Sequence, residues 1–187
     1  NNSKKLDAYN DDATKAYGRL TAMALDADWS NISLGGSTVV GKDIAPESTM
    51  VMPENYLLSF RGGNDWDFEN ERNADIVVIN LGTNEFLKTP GDEATQAGFE
   101  AALYDFAKNI IALNSNKDVK IVFAFGMMTD ADVWVTACYQ NVVARLAAEG
   151  INVPYCQLPM NTEGAAAHPD AEGHIAAAAV LSQFIKD

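Results

Sequence analysis

Lysine and arginine are scarce in this sequence: 13 stand against 26 Asp and Glu, for a formal net charge of −13 at pH 7. That shortage argues against nucleic acid as a partner, because phosphates need Lys and Arg to release their counterions. It argues equally against an anionic membrane surface. A neutral or cationic substrate is easier to accommodate, although acidity alone is mostly a solubility feature. Cysteine is nearly absent. Cys138 and Cys156 are too few for a metal framework by themselves, and they read as buried free thiols or as one incidental disulfide. No apolar stretch is long enough to span a bilayer. The opening NNSKKLDAYNDD lacks the apolar core of a secretory signal, so any such signal has been removed or never existed. Internal repeats, low-complexity tracts and interdomain linkers are missing as well.

What is present is enough apolar material for one core. A chain of 187 residues, 48% hydrophobic, suits one well-buried domain and is too short for two. Two periodicities alternate along it. Asp11 or Asp12 can cap a helix carrying Ala13, Tyr17, Leu20 and Ala24 on one face. A short strand is expected around DWSNIS (28–33), followed by the Gly-rich turn LGGST. Residues 41–74 read as irregular, with a short helix around ENYLLSF. A strand follows at 75–81, then a helix from about Glu93 to Asn114 with Phe99, Leu103, Phe106, Ile110 and Leu113 on one stripe. VKIVFAFG is another strand. The next helix carries Val135, Tyr139, Val142 and Leu146 and ends at Gly150. INVPYCQL is a last strand, and Ile175, Ala178, Leu181 and Ile185 mark a C-terminal helix. Strands that are uniformly apolar, each separated by a helix, indicate an α/β fold with a parallel sheet covered on both faces.

In such a sheet, ligands sit beyond the carboxyl ends of the strands. Three segments fall there: SLGGST, LGTNEF and GAAAHPDAEGH. The first offers a backbone N–H at Gly36 with no side chain in the way. The second offers the amide of Asn84, and the third the imidazole of His168, followed by a proline. Amide donors plus a histidine base are what acyl transfer needs, an oxyanion hole and a proton acceptor. Taken singly, Gly36 also fits an ordinary turn and Asn84 a loop or helix cap. Their coincidence at successive strand ends favours chemistry. His174, six residues beyond His168, reads as structural. Trp134, Trp66 and Tyr155 could stack on a sugar ring or pack in the core, and Trp134, just beyond a strand end, is the best placed for substrate binding.

These segments resemble three sequence blocks of the SGNH (GDSL-type) hydrolases, most closely the family 2 carbohydrate esterases, acetyl esterases acting on plant polysaccharides. VVINLGTNEF resembles the G-x-N-D block, with Gly82 and Asn84 in place. NISLGGST resembles the block whose glycine lends its N–H to the oxyanion hole, at Gly36, and HPDAEGH the block whose first histidine is the base, at His168. ATKAYGRLTAMALDADW is similar to the helix following the nucleophile loop. The resemblance implies a three-layer α/β/α sandwich with a parallel, flavodoxin-like sheet in the order 2-1-3-4-5. It implies removal of O-acetyl groups from a polysaccharide or oligosaccharide, in a secreted or cell-surface setting, and calls for no metal or cofactor.

Three departures qualify it. Glu85 stands where the family usually has Asp, a position that holds the loop by hydrogen bonds and is not catalytic. Ala165 stands where D-x-x-H-P would need Asp; the resemblance to the family 2 esterases, several of which do without the acid, implies a backbone carbonyl orienting His168, with Glu163 a poorly spaced substitute. The G-D-S block is missing. Ser33 and Ser37 sit in the oxyanion segment, and Ser3 lacks a preceding strand. The domain, residues 1–187, is thus expected to be incomplete at its N-terminus. Without a first strand, two buried strand edges stay unpaired at a cost of ~1–3 kcal/mol per unmet group. A separate N-terminal fragment of the same precursor, left by a nick in an exposed loop, is expected to supply strand and serine. The alternatives are a non-catalytic carbohydrate-binding remnant, or acyl transfer onto a sugar rather than hydrolysis.

Overall fold

Among the described residues the fold is built around three parallel strands whose order follows the sequence. The computed structural model describes residues 12–59, 63–70 and 73–187. Strand β1 (Ile76–Ile79) pairs in parallel with β2 (Lys120–Gly126), Ile76 opposite Lys120 and Ile79 opposite Phe123. Strand β3 (Tyr155–Leu158) completes the order β1-β2-β3. It is shorter than the apolar run 151–158 because Pro154 has no N–H to give a ladder and so stands at the strand's entrance, its carbonyl accepting the Phe123 N–H at 2.9 Å. Residues Ile121 to Phe125 are all buried, which explains a continuous apolar run in place of alternation.

Among the described residues six α-helices accompany the strands: α1 (Tyr17–Ala24), α2 (Met52–Asn55), α3 (Thr83–Lys88), α4 (Glu93–Leu113), α5 (Trp134–Ala148) and α6 (Ala171–Lys186). The result is an α/β fold, a parallel three-strand sheet flanked by helices. Its residues gather into two units. One holds residues 12–31, 124–131 and 156–187, and there α1 packs on α6. The other holds the described part of 32–123 with 132–155, and there α4 packs on α5. The core of this second unit is aromatic. Tyr139 meets Phe123 and Phe99 edge-on at 5.2 and 5.8 Å, geometries that the ring quadrupoles favour.

Helix α4 follows the expected stripe. Asp92 caps it, accepting the Thr95 N–H at 2.9 Å, and Phe99, Leu103, Phe106 and Ile110 are buried. Leu113, at the frayed end, is 37% exposed. Val135, Tyr139, Val142 and Leu146 of α5 are all buried. In α6, Ala178 and Leu181 are buried while Ile175 points to solvent.

Three expectations need correction. The single first helix is two pieces. The Asp12 carboxylate accepts the Thr14 N–H at 3.0 Å and closes one 3-10 turn, Ala13–Lys15; Ala16 is then extended, and α1 begins afresh. Thr21 and Ala22 make its buried face, while Ala13 and Ala24 are exposed. Asp11, the other candidate cap, lies outside the described residues. The short helix near 54–60 is α2, starting at Met52 with Pro53 in its first turn, where a missing N–H costs nothing. Finally, residues 28–33 are exposed and have no strand partner among the described residues. Cys138 and Cys156 are buried free thiols, not a disulfide. Burial pushes the Cys138 thiol up to about 12, so both behave as small apolar side chains.

Candidate active site

The stretch LGTNEF stops a strand and starts a helix. Leu81, just past β1, is held at both backbone groups by one phenol: Tyr139 donates its hydroxyl to the Leu81 carbonyl at 2.9 Å and accepts the Leu81 N–H at 3.2 Å. Gly82 then takes φ +108°, closed to most side chains, and becomes the N-cap of α3. The chain reverses there, and Asn84 and Glu85 fall in the first turn of α3.

Both of those side chains reach the same neighbouring segment. Asn84 Nδ2 donates to the Ser37 carbonyl at 2.8 Å. Glu85, fully buried, accepts at one carboxylate oxygen from the Val39 N–H at 2.5 Å and the Val40 N–H at 3.3 Å. Its second oxygen is buried and has no partner among the described residues. Burial pushes the Glu85 carboxyl above its ordinary range, and the Val39 N–H pulls it back most strongly. The expectation that Glu85 holds the loop matches these bonds.

Gly36 lies in the segment so held. The Ser37 N–H closes a turn onto the Leu34 carbonyl at 3.1 Å, and the Ser37 hydroxyl donates to the same oxygen at 2.5 Å. Gly36 sits third in that turn with φ +84°, the sign a type II turn demands there. A Cβ at this position would stand 2.8 Å from Thr49 Oγ1 and 3.3 Å from Lys88 Nζ. The structure thus brings Gly36 and Asn84 to one turn. Ser37 spends its hydroxyl within that turn; Ser3 lies outside the described residues.

His168 belongs to the other unit. It follows a 3-10 turn, Ala165–Ala167, in which Ala166 and Ala167 take φ +51° and +59°. This bend turns two carbonyls toward the ring, and His168 Nδ1 lies 3.1 Å from Ala165 O and 3.1 Å from Ala166 O. Carbonyl oxygens only accept, so Nδ1 carries the proton and Nε2 keeps its lone pair. The loop is closed by the Gly164 N–H on the His168 carbonyl at 2.8 Å, and by Asn161 Oδ1, which accepts the Asp170 N–H at 3.0 Å. His174 stacks on Tyr17, ring planes 3° apart, and its Nδ1 accepts the Tyr17 N–H at 3.2 Å.

Trp134 opens α5 and is half-buried, meeting Phe99 edge-on at 5.7 Å. Trp66 is half-buried too, and Tyr155 packs against Tyr139. Among the described residues, no group of three or more His, Cys, Asp or Glu could hold a metal ion. Two further side chains, one on Leu81 and one beside Gly36, carry no functional signal in the sequence. The phenol of Tyr139 was counted only as core. Lys88 went unnoticed because 83–88 was not predicted as a helix; once it is one, positions 84 and 88 share a face.

The model of the GDSL-like Lipase/Acylhydrolase family matches residues 4–176. The chain belongs to this family. No match is found among curated protein sequences. Among solved structures, this GDSL-like chain is similar to an acetyl xylan esterase from the rumen bacterium Butyrivibrio proteoclasticus, at 22% identity and TM-score 0.74, covering 93% of this chain and 55% of that one. A family two carbohydrate esterase from Clostridium thermocellum in complex with cellohexaose gives 22% identity and TM-score 0.81, covering 100% and 57%. A carbohydrate esterase described as displaying divergent catalytic and non-catalytic binding functions gives 20% and 0.83, covering 99% and 62%. At such identities the likeness shows the fold. The chain spans 55% to 62% of the length of these structures.

Proposed function

We propose that residues 1–187 are an SGNH domain incomplete at its N-terminus, the larger part of a carbohydrate acetyl esterase working by serine–histidine acyl transfer. The observation that carries the reading is the pair of carbonyls on His168 Nδ1. They do the orienting work of the missing acid and leave Nε2 basic. In the proposed mechanism a serine from an N-terminal fragment of the precursor attacks an acetyl carbonyl while His168 accepts its proton. The Gly36 N–H and the Asn84 amide stabilise the oxyanion. His168 then protonates the departing sugar hydroxyl, and water hydrolyses the acyl-enzyme. The substrate is an acetylated polysaccharide or oligosaccharide, Trp134 offers an aromatic face to a sugar ring, and the setting is secreted or cell-surface. Among the described residues no helix is long and apolar enough to cross a membrane.

Support for the borrowed strand comes from β1. Among the described residues it pairs only with β2, and three of its four apolar residues are only half-buried. An unpaired apolar edge invites a further strand. The test is turnover of an aryl acetate by this chain with and without the precursor's upstream segment. Activity that requires the segment supports the esterase. Binding of oligosaccharide without turnover in either case supports a carbohydrate-binding remnant, the second reading, which the binding functions described for one similar structure favour. Mass spectrometry of a stable, folded species with no accompanying peptide would rule out the fragment.

A further inference from the structure

The donor turn has a charged neighbour. Lys88, at the C-terminal end of α3 and one turn after Asn84, extends its ammonium to within 3.3 Å of the place where a Gly36 side chain would stand. Among the described residues Lys88 makes no hydrogen bond or ion pair. In a chain of net charge −13, an unpaired cation at this spot stands against the surrounding field.

We propose that Lys88 provides the positive potential that makes the Gly36–Asn84 turn able to hold a developing oxyanion. The inference rests on the esterase reading. When the nucleophile's C–O bond forms, the carbonyl π pair moves onto oxygen and the nucleophile's proton passes to His168. Negative charge then appears beside Gly36, in a molecule whose summed charge opposes it. Neutral N–H donors point dipoles at that oxygen, and Lys88 adds a full charge a few ångströms further out. The substrate ester is uncharged, so the charge acts on the transition state far more than on the bound substrate, and its signature is in kcat. Gly36 suits this arrangement because any side chain there would push into Thr49 and the ammonium.

The experiment uses the assembled protein, with its serine-bearing segment, and a neutral aryl acetate. Lys88→Met is expected to lower kcat about three- to thirtyfold with KM unchanged. Lys88→Arg should restore most of the loss and Lys88→Glu deepen it. Because exposed charges are screened, kcat of the native protein should fall with added salt and that of Lys88→Met should not. Native kcat in Lys88→Met, or a loss confined to KM, overturns the proposal. Asn84→Ala is run alongside. If it is inactive while Lys88→Met is normal, only the role of Lys88 has failed; if both turn over normally, the esterase reading of the turn has failed with it.

Discussion

Asn84 Nδ2 and the Ser37 carbonyl lie 2.8 Å apart, and this bond decides what the amide can do. A carbonyl accepts only, so it fixes nitrogen rather than oxygen toward the Gly36 turn and uses one of two N–H groups. The second N–H stays available to a substrate oxygen. On the proposed esterase reading, replacing Asn84 by Ala is therefore expected to lower kcat by about 10²–10³ once the serine-bearing segment is present. Asn84→Asp, isosteric but without a donor, should lose as much. Aryl acetate turnover measures both.

The phenol of Tyr139 pins the residue before Gly82 at both its N–H and its carbonyl. Tyr139→Phe keeps the buried ring and removes those two bonds. The expected loss of stability is about 1–3 kcal/mol, read from urea unfolding. Because α3 starts just beyond that point, kcat should fall together with stability.

The strands and long helices were legible because period and burial agree. The run from Ile121 to Phe125 is buried throughout, and the α4 and α5 stripes fall on the core. Gly36 was legible as a turn glycine and Asn84 as an amide just past a strand, though not that Asn84 would be tethered to Ser37, since that bond joins residues 47 apart in sequence. Residues 28–33 have no strand partner among the described residues, and β propensity, which describes a side chain's fit to a pleated surface, does not tell whether one lies alongside. The left-handed pair Ala166–Ala167 could not be read either. Alanine avoids that region, and only the closed loop around His168 holds it there.

The neutral His168 ring should carry its proton on Nδ1. Both of its ring neighbours on that side are carbonyl oxygens at 3.1 Å, and neither can donate. Long-range nitrogen–proton NMR on the histidine-labelled protein distinguishes the two nitrogens. Protonation at Nε2 in the neutral ring would contradict the base role, since the proton would occupy the lone pair that the serine needs.

His174 should make stability fall in mild acid. Its Nδ1 accepts the Tyr17 N–H, which requires the neutral ring, and burial holds its pKa below the ordinary 6.5 while Asp170 partly opposes this. For a histidine depressed in the folded state, the unfolded chain binds more protons. The contribution is thus complete above about 6.5 and is lost as pH falls through the lowered folded value. Melting temperatures from pH 8 to pH 5 should show the decline in the native protein, and a shallower one in His174→Gln.

Glu85 should behave in the opposite sense. Its carboxyl is raised above the ordinary 4.5 by burial, so its contribution to stability is fully present below about 4.5 and is lost as pH rises through the folded value. Above that value the fold carries a buried charge beside an oxygen that has no partner among the described residues. Glu85→Gln keeps an acceptor for the Val39 and Val40 N–H groups and removes the charge, so its melting temperature should match the native one near pH 4 and exceed it at a pH above the folded value. Glu85→Ala should be less stable at both, because two buried N–H groups lose their acceptor at about 1–3 kcal/mol each. Thermal melts of the three proteins at the two pH values separate these outcomes. Equal melting of Glu85→Gln and native protein at the higher pH would show that the carboxylate's desolvation is already met, and that the clasp on Val39 and Val40 depends on the charge.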